Sequence, residues 1–203
     1  MIKNIIFDMG GVLIDFDFDK FLDHYQLSPE EHIFLKRNIF ETLEWARMDR
    51  GSLDEEKMYE IIKERIPSHL HQITYELLFE WDKICEPMIG MAEYIKELKD
   101  RGYKIYLLSN ASTRCMKDYW YRVKGSEYFD GQVVSADVGY IKPEKEIYEC
   151  LLNKYQLDKK ECVFIDDRIN NVEGAYNYGI EAIPFHKDVA LFKKDLEELL
   201  LRA

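Results

Sequence analysis

Ile5-Ile6-Phe7-Asp8 and Val163-Phe164-Ile165-Asp166-Asp167 are two apolar runs of strand length, and each of them ends in aspartate. An uninterrupted apolar run of this kind predicts a strand that is buried on both faces of a sheet. The aspartates would then meet at one edge of the sheet, where burying several carboxylates is costly unless a cation compensates them. We therefore expect a cation site at this edge, and with it the functional site, since ligands of open α/β sheets bind beyond the carboxyl ends of the strands.

Helices and apolar strands alternate from about residue 87 to the end of the chain. The pattern predicts helices over 91–101, 112–123, 144–155, 171–178 and 189–201, and strands over 103–109, 132–135, 162–166 and 181–185. Near-continuous apolar strands separated by helices indicate a parallel sheet that is covered on both faces. The predicted fold class is therefore α/β, with a Rossmann-like three-layer core.

The segment from about residue 16 to 86 has helical periodicity and no convincing strand. Ser28-Pro29-Glu30-Glu31 predicts a capping box with proline at the first helical position, and Ser52-Leu53-Asp54-Glu55 predicts a second capping box. We expect a bundle of about four helices here. The predicted organisation is a core formed by residues 1–15 and 87–203, with a helical bundle of residues 16–86 inserted into it.

Composition and charge argue against several classes of protein. The chain has 203 residues with 47% hydrophobic content, enough to bury a core, and its 28 basic and 39 acidic residues give a net charge of −11. Such a charge disfavours nucleic acid and anionic membranes as partners. The four cysteines lie far apart, which favours reduced thiols over a disulfide framework or a zinc site. No apolar run is long enough for a signal peptide or a membrane span, so a soluble cytoplasmic protein is expected.

Four motifs, in order along the chain, resemble those of the haloacid dehalogenase-like (HAD) hydrolase superfamily. They are Ile5-Ile6-Phe7-Asp8-Met9-Gly10-Gly11-Val12, Leu107-Leu108-Ser109-Asn110, Gly139-Tyr140-Ile141-Lys142-Pro143 and Phe164-Ile165-Asp166-Asp167. Any one of them is weak, but four in this order and setting are specific. The resemblance spans the whole chain and implies the phosphatase branch, whose helical type 1 cap is inserted just after the first motif, as the segment 16–86 is here.

The acidic residues of these motifs suit phosphoryl transfer. A carboxylate can attack phosphorus to form an aspartyl-phosphate that water then hydrolyses, and Asp8 is the best placed nucleophile. Because phosphate and carboxylate repel each other, a cation must bridge them, and Mg²⁺ prefers one or two carboxylates together with substrate oxygens. We expect Asp8 and Asp167 to bind Mg²⁺, with Asp166 helping directly or through a water. The family implies the backbone carbonyl of Gly10 as a further ligand, and Asn171 is expected to orient the acidic loop.

The other charges of a phosphoryl group need hydrogen-bond donors. Ser109 and Asn110 offer a hydroxyl and amides, Gly10 and Gly11 let backbone N–H groups approach closely, and Lys142 supplies a positive charge. We predict that these five residues bind the phosphate and that Ser109 and Lys142 also serve catalysis. Taken singly, Ser109 fits a helix N-cap or turn residue equally well, and Lys142 fits a solvated loop lysine better than a phosphate-binding group.

One position departs from the family pattern. Many phosphatases of this superfamily carry a second aspartate two residues after the nucleophile, which protonates the leaving group and then activates water, and Gly10 occupies that position here. General acid–base catalysis contributes roughly 10²–10⁴-fold in rate, so we expect a slow enzyme, a good leaving group or a substitute acid. Asp15, Asp17 and Asp19 are candidates for the substitute, although their alternation with Phe and Ile equally fits an exposed strand face or a helix start.

The predicted function is a Mg²⁺-dependent phosphatase that acts on a small phosphorylated metabolite. A sugar phosphate is favoured, because the Asp-x-Gly first motif resembles that of sugar-1-phosphate phosphatases. The residues of the inserted helices that could reach the substrate are His24, Trp45, Arg47 and Arg50, although arginine and tryptophan on such helices more often pack at the rim or in the core, so none of the four is predicted to do so. A monomer or a homodimer is expected.

Two other functions stay open at this point. A 2-haloacid dehalogenase also uses an aspartate nucleophile, but dehalogenases of this superfamily need no metal, and the Asp166-Asp167 pair argues for one. A weakly active phosphate-binding or regulatory protein is the second alternative, because Gly10 removes the usual acid.

Overall fold

A parallel β-sheet forms the centre of the computed structural model, which describes residues 1–202. Its strands are β1 (Asn4–Phe7), β2 (Lys104–Ser109), β3 (Gly131–Val134), β4 (Cys162–Asp166) and β5 (Glu181–Pro184). Their order across the sheet is β3-β2-β1-β4-β5, and every neighbouring pair is parallel. Phe7 lies opposite Leu107 of β2 and Ile165 of β4. The three central strands therefore end close together at one edge.

The chain between β1 and β2 begins with an inserted helical segment that runs from Phe18 to Lys83. Its helices are α1 (Phe18–Asp23), α2 (Pro29–Leu35), α3 (Leu43–Asp49), α4 (Glu55–Lys63) and α5 (His71–Phe79), with a π-helical turn over Lys36–Phe40 and 3-10 turns over Ser68–Leu70 and Trp81–Lys83. Five α-helices thus occupy a segment for which about four were predicted. The two ends of the segment pair with each other: the Asp15 N–H donates to the Glu86 carbonyl (2.8 Å), and the Met88 N–H donates to the Leu13 carbonyl (2.9 Å).

The remaining helices cover the two faces of the sheet. They are α6 (Met91–Asp100), α7 (Thr113–Asp118), α8 (Ser135–Val138), α9 (Lys145–Tyr155), α10 (Ile169–Tyr178) and α11 (Val189–Arg202), with 3-10 turns over Trp120–Arg122, Ser126–Tyr128 and Lys159–Glu161. Alternate strand residues face opposite ways: Ile5 and Phe7 belong to one buried cluster with α6 and α11, whereas Ile6 belongs to another with α9 and α10. The predicted α/β fold with a Rossmann-like three-layer core is confirmed.

Some predicted helix ends are wrong. The capping box at Ser28 is present, but α4 is capped by the Asp54 side chain, which accepts from the Lys57 N–H (2.8 Å), while the Ser52 hydroxyl donates to the Arg47 carbonyl. Aspartate is as good an N-cap residue as serine, and Asp54 directly precedes the first residue of α4, Glu55.

The helix predicted over 112–123 is also shorter than expected, because α7 stops at Asp118. Tyr119 leaves the helical conformation, and its ring packs against Trp81 of the inserted segment (centroids 4.8 Å apart). Trp120 packs edge-on against Phe129 (5.1 Å). These aromatic contacts bend the chain, and local helical periodicity did not indicate them.

Candidate active site

Three aspartates meet at the carboxyl edge of the sheet. Asp8 follows β1, Asp166 is the last residue of β4 and Asp167 comes next, and one oxygen from each lies within 4.8 Å of the other two. The aligned ends of β1 and β4 make this meeting unavoidable, since Phe7 and Ile165 are register partners. Asp8 and Asp166 are buried, and Asp167 is partly buried.

Lys142 is the cation that compensates these carboxylates in the protein itself. Its side chain is 1% exposed, and its Nζ lies 2.8 Å from Asp8 Oδ1 and 2.7 Å from Asp166 Oδ2, while donating to the Leu108 carbonyl at 2.9 Å. Burial alone would lower the pKa of Lys142, but the charges of Asp166 and Asp8 outweigh burial and raise it. Lys142 is therefore a fixed ammonium group rather than a solvated loop lysine.

The pKa values of Asp8 and Asp167 are both raised above the usual value for aspartate. Burial raises the pKa of Asp8 to about 7, against the opposing pull of Lys142 and with the support of the Asp166 charge. Burial and the Asp166 charge also raise the pKa of Asp167. Such shifts are typical of sites where a ligand or cation stabilises the charged forms.

The two aspartates of the acidic loop differ in their hydrogen bonds. Asp166 accepts from the Arg168 N–H (2.8 Å) and from the Asn171 side-chain amide (3.0 Å to each oxygen), in addition to Lys142. Asn171 is thus placed as predicted to orient this loop. Asp167 Oδ1, by contrast, is buried and has no hydrogen-bond partner among residues 1–202.

A divalent cation fits the residues that are present. An orphaned buried carboxylate oxygen beside two further carboxylates is the oxygen-rich donor set that Mg²⁺ prefers. The Gly10 carbonyl accepts no hydrogen bond within residues 1–202, so it is also available as a ligand. Because Asp166 is already saturated with donors, Asp8 and Asp167 are the more available carboxylates.

The two glycines of the first motif lie in different surroundings. Gly10 lines the cavity, whereas the Gly11 N–H donates to the Ile14 carbonyl (2.8 Å) and so is not free for a phosphate. Gly11 has φ +78, and a Cβ built on it would lie 2.3 Å from Asp167 Oδ2. Glycine at this position therefore makes room for Asp167.

Ser109 and Asn110, in the motif at the end of β2, have different surroundings. Ser109 is buried and lines the cavity floor. The Asn110 side chain donates to the Lys142 carbonyl (3.1 Å) and accepts from the Lys142 N–H (2.8 Å). Its amide is thus engaged in holding the Lys142 loop, and it can meet a phosphate only through its backbone.

A cavity of about 150 Å³ lies above these residues and has two unlike halves. The floor, which comes from the sheet edge, is polar and contains Asp8, Gly10, Ser109, Lys142 and Asp167. The roof, which comes from the inserted helices, contains the apolar side chains of Phe18, Phe40, Trp45, Met48, Leu78 and Trp81 and the carboxyls of Asp49 and Glu55. The rings of the roof pack on one another, with Phe18 stacked on Phe40 (4.2 Å) and Trp45 edge-on to Phe40 (5.1 Å).

Of the four candidates to reach the substrate from the inserted helices, only Trp45 lines this cavity. Arg50 instead pairs with Glu144 and donates to the Gly139 carbonyl, which fastens the end of α3 to the core. Arg47 and His24 are exposed and lie outside the cavity lining. These three candidates are therefore not placed to contact a ligand in this cavity.

The aspartates that follow the first motif do not lie in the cavity lining either. Asp15 and Asp17 both pair with Lys187 (2.9 and 3.1 Å), and Asp19 pairs with Lys36 (2.6 Å). Burial works to raise the pKa of Asp15 and of Asp17, but the lysine contacts outweigh it and lower both values. A carboxyl that holds its proton so weakly is a poor general acid at neutral pH.

Sequence reasoning missed Asp49, the last residue of α3. It is partly buried in the cavity lining, and burial raises its pKa to about 7, with the Arg168 charge opposing and the Asp8 charge adding to the shift. One feature of the sequence could have indicated it. An aspartate in the last turn of a helix lies at the negative end of the helix dipole, which costs stability and therefore suggests a functional role.

Comparison with known proteins identifies the family. A model of the haloacid dehalogenase-like hydrolases matches residues 2–179. The chain belongs to the haloacid dehalogenase-like hydrolase family. The predicted family membership and the prediction of a hydrolase are confirmed.

Relatives of this HAD hydrolase include phosphatases that it matches over most of their length. It is 29% identical to a sesquiterpene phosphatase of Aspergillus oryzae, covering 88% of this chain and 87% of that protein. It is 25% identical to a D-ribitol-5-phosphate phosphatase of Bacteroides thetaiotaomicron, covering 89% of this chain and 90% of that protein. These names support the phosphatase side of the family.

A solved structure shares the fold of the HAD hydrolase. It is a HAD family enzyme of Bacteroides thetaiotaomicron in complex with magnesium and inorganic phosphate, 24% identical, with a TM-score of 0.69 over 95% of this chain and 99% of that one. Among residues 1–202, no helix has the length and apolar character that crossing a bilayer requires.

Proposed function

We propose that this HAD hydrolase is a Mg²⁺-dependent phosphatase that hydrolyses a small organic phosphate monoester through an aspartyl-phosphate on Asp8. The observation that carries the proposal is the sheet edge itself, where three carboxylates cluster, two of them pair with the buried ammonium of Lys142, and one oxygen of Asp167 lacks a partner among residues 1–202. The phosphatases among the relatives support the same activity.

Each residue of the floor has a role in this proposal. Asp8, Asp167 and the Gly10 carbonyl would hold Mg²⁺, with Asp166 orienting Lys142. When bound, the ion neutralises charge on the phosphoryl oxygens and so lets a carboxylate approach them. Lys142 favours the carboxylate form of Asp8, because its ammonium lies 2.8 Å from the attacking group and works against the burial that raises the pKa of Asp8.

The phosphoryl group itself would lie between the floor residues. The Lys142 ammonium and the Ser109 hydroxyl bind its oxygens and orient phosphorus towards Asp8. The helices of residues 16–86 act as a cap over a core of residues 1–15 and 87–203, and they exclude water from the aspartyl-phosphate until the alcohol has left.

A sugar phosphate is the substrate class that the sequence favours, and it remains a prediction. The roof favours a second candidate, the phosphate ester of an apolar alcohol, because most of its side chains are apolar and only Asp49 and Glu55 could bond the hydroxyls of a sugar there. The relatives named above act on one substrate of each kind, judging by their names.

Release of inorganic phosphate from a panel of monoesters tests the proposal. The panel should pair sugar phosphates with alkyl and prenyl phosphates of similar size, with and without Mg²⁺, and Asp8→Asn serves as the control. We expect Mg²⁺-dependent release that Asp8→Asn abolishes. Activity that survives the loss of Asp8 would contradict the mechanism.

The two alternative functions give different results in the same assay series. Metal-independent release of halide from 2-haloacids would indicate a dehalogenase. Binding of inorganic phosphate without turnover of any ester would indicate the phosphate-binding or regulatory protein.

A further inference from the structure

A proton donor for the leaving group is missing from the first motif. When the bond from phosphorus to the ester oxygen breaks, an alkoxide is a poor leaving group unless it gains a proton. Gly10 cannot supply one, and Asp15, Asp17 and Asp19 are paired with lysines outside the cavity. This inference rests on the proposed function: efficient hydrolysis of the ester of an ordinary alcohol needs another acid in the cavity.

The roof offers two carboxyls, and their surroundings differ. Glu55 is buried, and its carboxylate already accepts a hydrogen bond from the Ser112 hydroxyl. Asp49 contacts the side chain of Trp45 and faces the same cavity as Asp8 and Gly10. Because the indole N–H of Trp45 can only donate, this contact leaves the proton of a neutral Asp49 carboxyl free for transfer into the cavity.

The position of Asp49 above the floor is fixed by contacts that belong to the core. Its backbone carbonyl accepts from the buried Ser135 hydroxyl (2.5 Å). Two residues further on, a Cβ on Gly51 would lie 2.3 Å from the Ala136 carbonyl oxygen, so the end of α3 lies directly against α8. Together with the pairing of Arg50 and Glu144, these contacts hold the last turn of α3 in one place relative to the sheet edge.

The surroundings of Asp49 favour a carboxyl group that keeps its proton near neutral pH. Its neighbours in the roof, Trp45 and Met48, are apolar. Burial raises the pKa of Asp49 to about 7. The charges of Arg168 and Lys142 and a contact with Trp45 oppose this shift, and the charge of Asp8 adds to it. A general acid is most effective when its pKa lies near the working pH.

We propose that Asp49 is the general acid and base of the reaction, in the role that an aspartate at position 10 would otherwise have. In the first step an Asp8 oxygen bonds to phosphorus, the bond from phosphorus to the ester oxygen breaks, and the Asp49 carboxyl gives its proton to that oxygen. The products are the alcohol, the aspartyl-phosphate and the Asp49 carboxylate. In the second step the Asp49 carboxylate takes a proton from water as the water oxygen attacks phosphorus. The bond to Asp8 then breaks, which leaves inorganic phosphate, the Asp8 carboxylate and the protonated Asp49 carboxyl.

Asp49→Asn tests this role with two substrates that differ in their need for a proton. An alkyl phosphate releases a poor leaving group, whereas 4-nitrophenyl phosphate releases a stabilised phenolate. We expect Asp49→Asn to lower kcat/KM for the alkyl ester by about 100-fold or more and to change formation of the aspartyl-phosphate from 4-nitrophenyl phosphate little, as measured by the burst of nitrophenol. The alkaline fall of kcat/KM for the alkyl ester, expected above about pH 7, should disappear in the variant.

Two comparison variants make the result specific. Asp15→Asn removes an aspartate that lies outside the cavity lining and should keep both the rate and the pH profile. Glu55→Gln removes the other carboxyl of the roof. A loss specific to the alkyl ester in Glu55→Gln, but not in Asp49→Asn, would overturn the proposal.

Equal losses on both esters in Asp49→Asn would also overturn it, because a merely structural role does not distinguish leaving groups. Failure of the proposed function has a different signature. In that case the wild-type protein releases no phosphate from either ester, or Asp8→Asn remains active, and the assignment of Asp49 falls together with the mechanism.

Discussion

Replacing Lys142 by methionine should lower the free energy of unfolding more at neutral pH than at acidic pH. Methionine has a similar length, so the change removes the charge and the three contacts of Nζ, at 2.7, 2.8 and 2.9 Å, without opening a large cavity. It leaves Asp8 and Asp166 buried together without a cation. Breaking a buried ion pair from one side costs about 3–5 kcal/mol, and we expect a loss of that size in the free energy of unfolding at pH 8.

The pH dependence follows from the direction of the Asp8 shift. The pKa of Asp8 in the folded protein is about 7, above its ordinary value of 3.8, and Lys142 works to lower it. Removing Lys142 therefore raises the pKa of Asp8 further. Between the unfolded pKa of 3.8 and the higher folded pKa, the folded protein binds the proton more tightly than the unfolded chain, so its stability falls as the pH rises. Acidification reverses this loss, because a protonated Asp8 no longer repels Asp166. The deficit should be clearly smaller at pH 5 than at pH 8.

Urea unfolding followed by tryptophan fluorescence, in EDTA at pH 5, 6.5 and 8, measures this deficit. Lys96→Met is a matched control, because Lys96 makes an exposed pair with Asp100 and its loss should change stability little. A deficit for Lys142→Met below about 1 kcal/mol at pH 8, a typical value for an exposed ion pair, would refute the reasoning. An equal deficit at pH 5 and pH 8 would refute its electrostatic part.

Three further changes test the geometry of the site. Gly11→Ala places a Cβ 2.3 Å from Asp167 Oδ2 at a φ of +78, so the Mg²⁺ concentration for half-maximal phosphatase activity should rise by about tenfold or more in a metal titration. In Gly10→Asp the new Cβ meets its nearest neighbour at 3.4 Å, so the variant should fold normally by circular dichroism, and it should restore alkyl phosphate turnover when combined with Asp49→Asn. Ser135→Ala removes the buried hydroxyl that bonds the Asp49 carbonyl, which should cost about 1–3 kcal/mol and lower the Tm by about 2–4 °C per kcal/mol, measured by thermal denaturation.

The sheet edge was accessible to sequence reasoning because its determinants are local. The apolar runs that end at Asp8 and Asp166 predict buried strands, and parallel strands bring their carboxyl ends together whatever the intervening chain does. Ser109 ends β2 in the same way, whereas Lys142 lies in the loop between α8 and α9. The strand pattern therefore predicts Ser109 at this edge, and only the set of four motifs in order predicts Lys142 beside it.

The lining of the roof could not be predicted in this way. Arg50 was one of the candidates to reach the substrate, but its guanidinium pairs with Glu144 in the core, whereas Asp49, one residue earlier, lies in the cavity lining. Neighbouring helix residues point about 100° apart, so the choice between them depends on how α3 is rotated against the sheet. That rotation is set by contacts distant in sequence, such as the bond from Ser135 to the Asp49 carbonyl.

The sequence by itself determined the parallel sheet, the family and the acidic edge, because each follows from a local pattern or from strand order. Only the tertiary structure decided that Asp166 is saturated with donors while Asp167 keeps a free oxygen, and that a carboxyl on an inserted helix lies across the cavity from the nucleophile. The physical reason is that hydrogen-bond saturation and burial are properties of a whole neighbourhood, assembled here from segments more than a hundred residues apart in the chain.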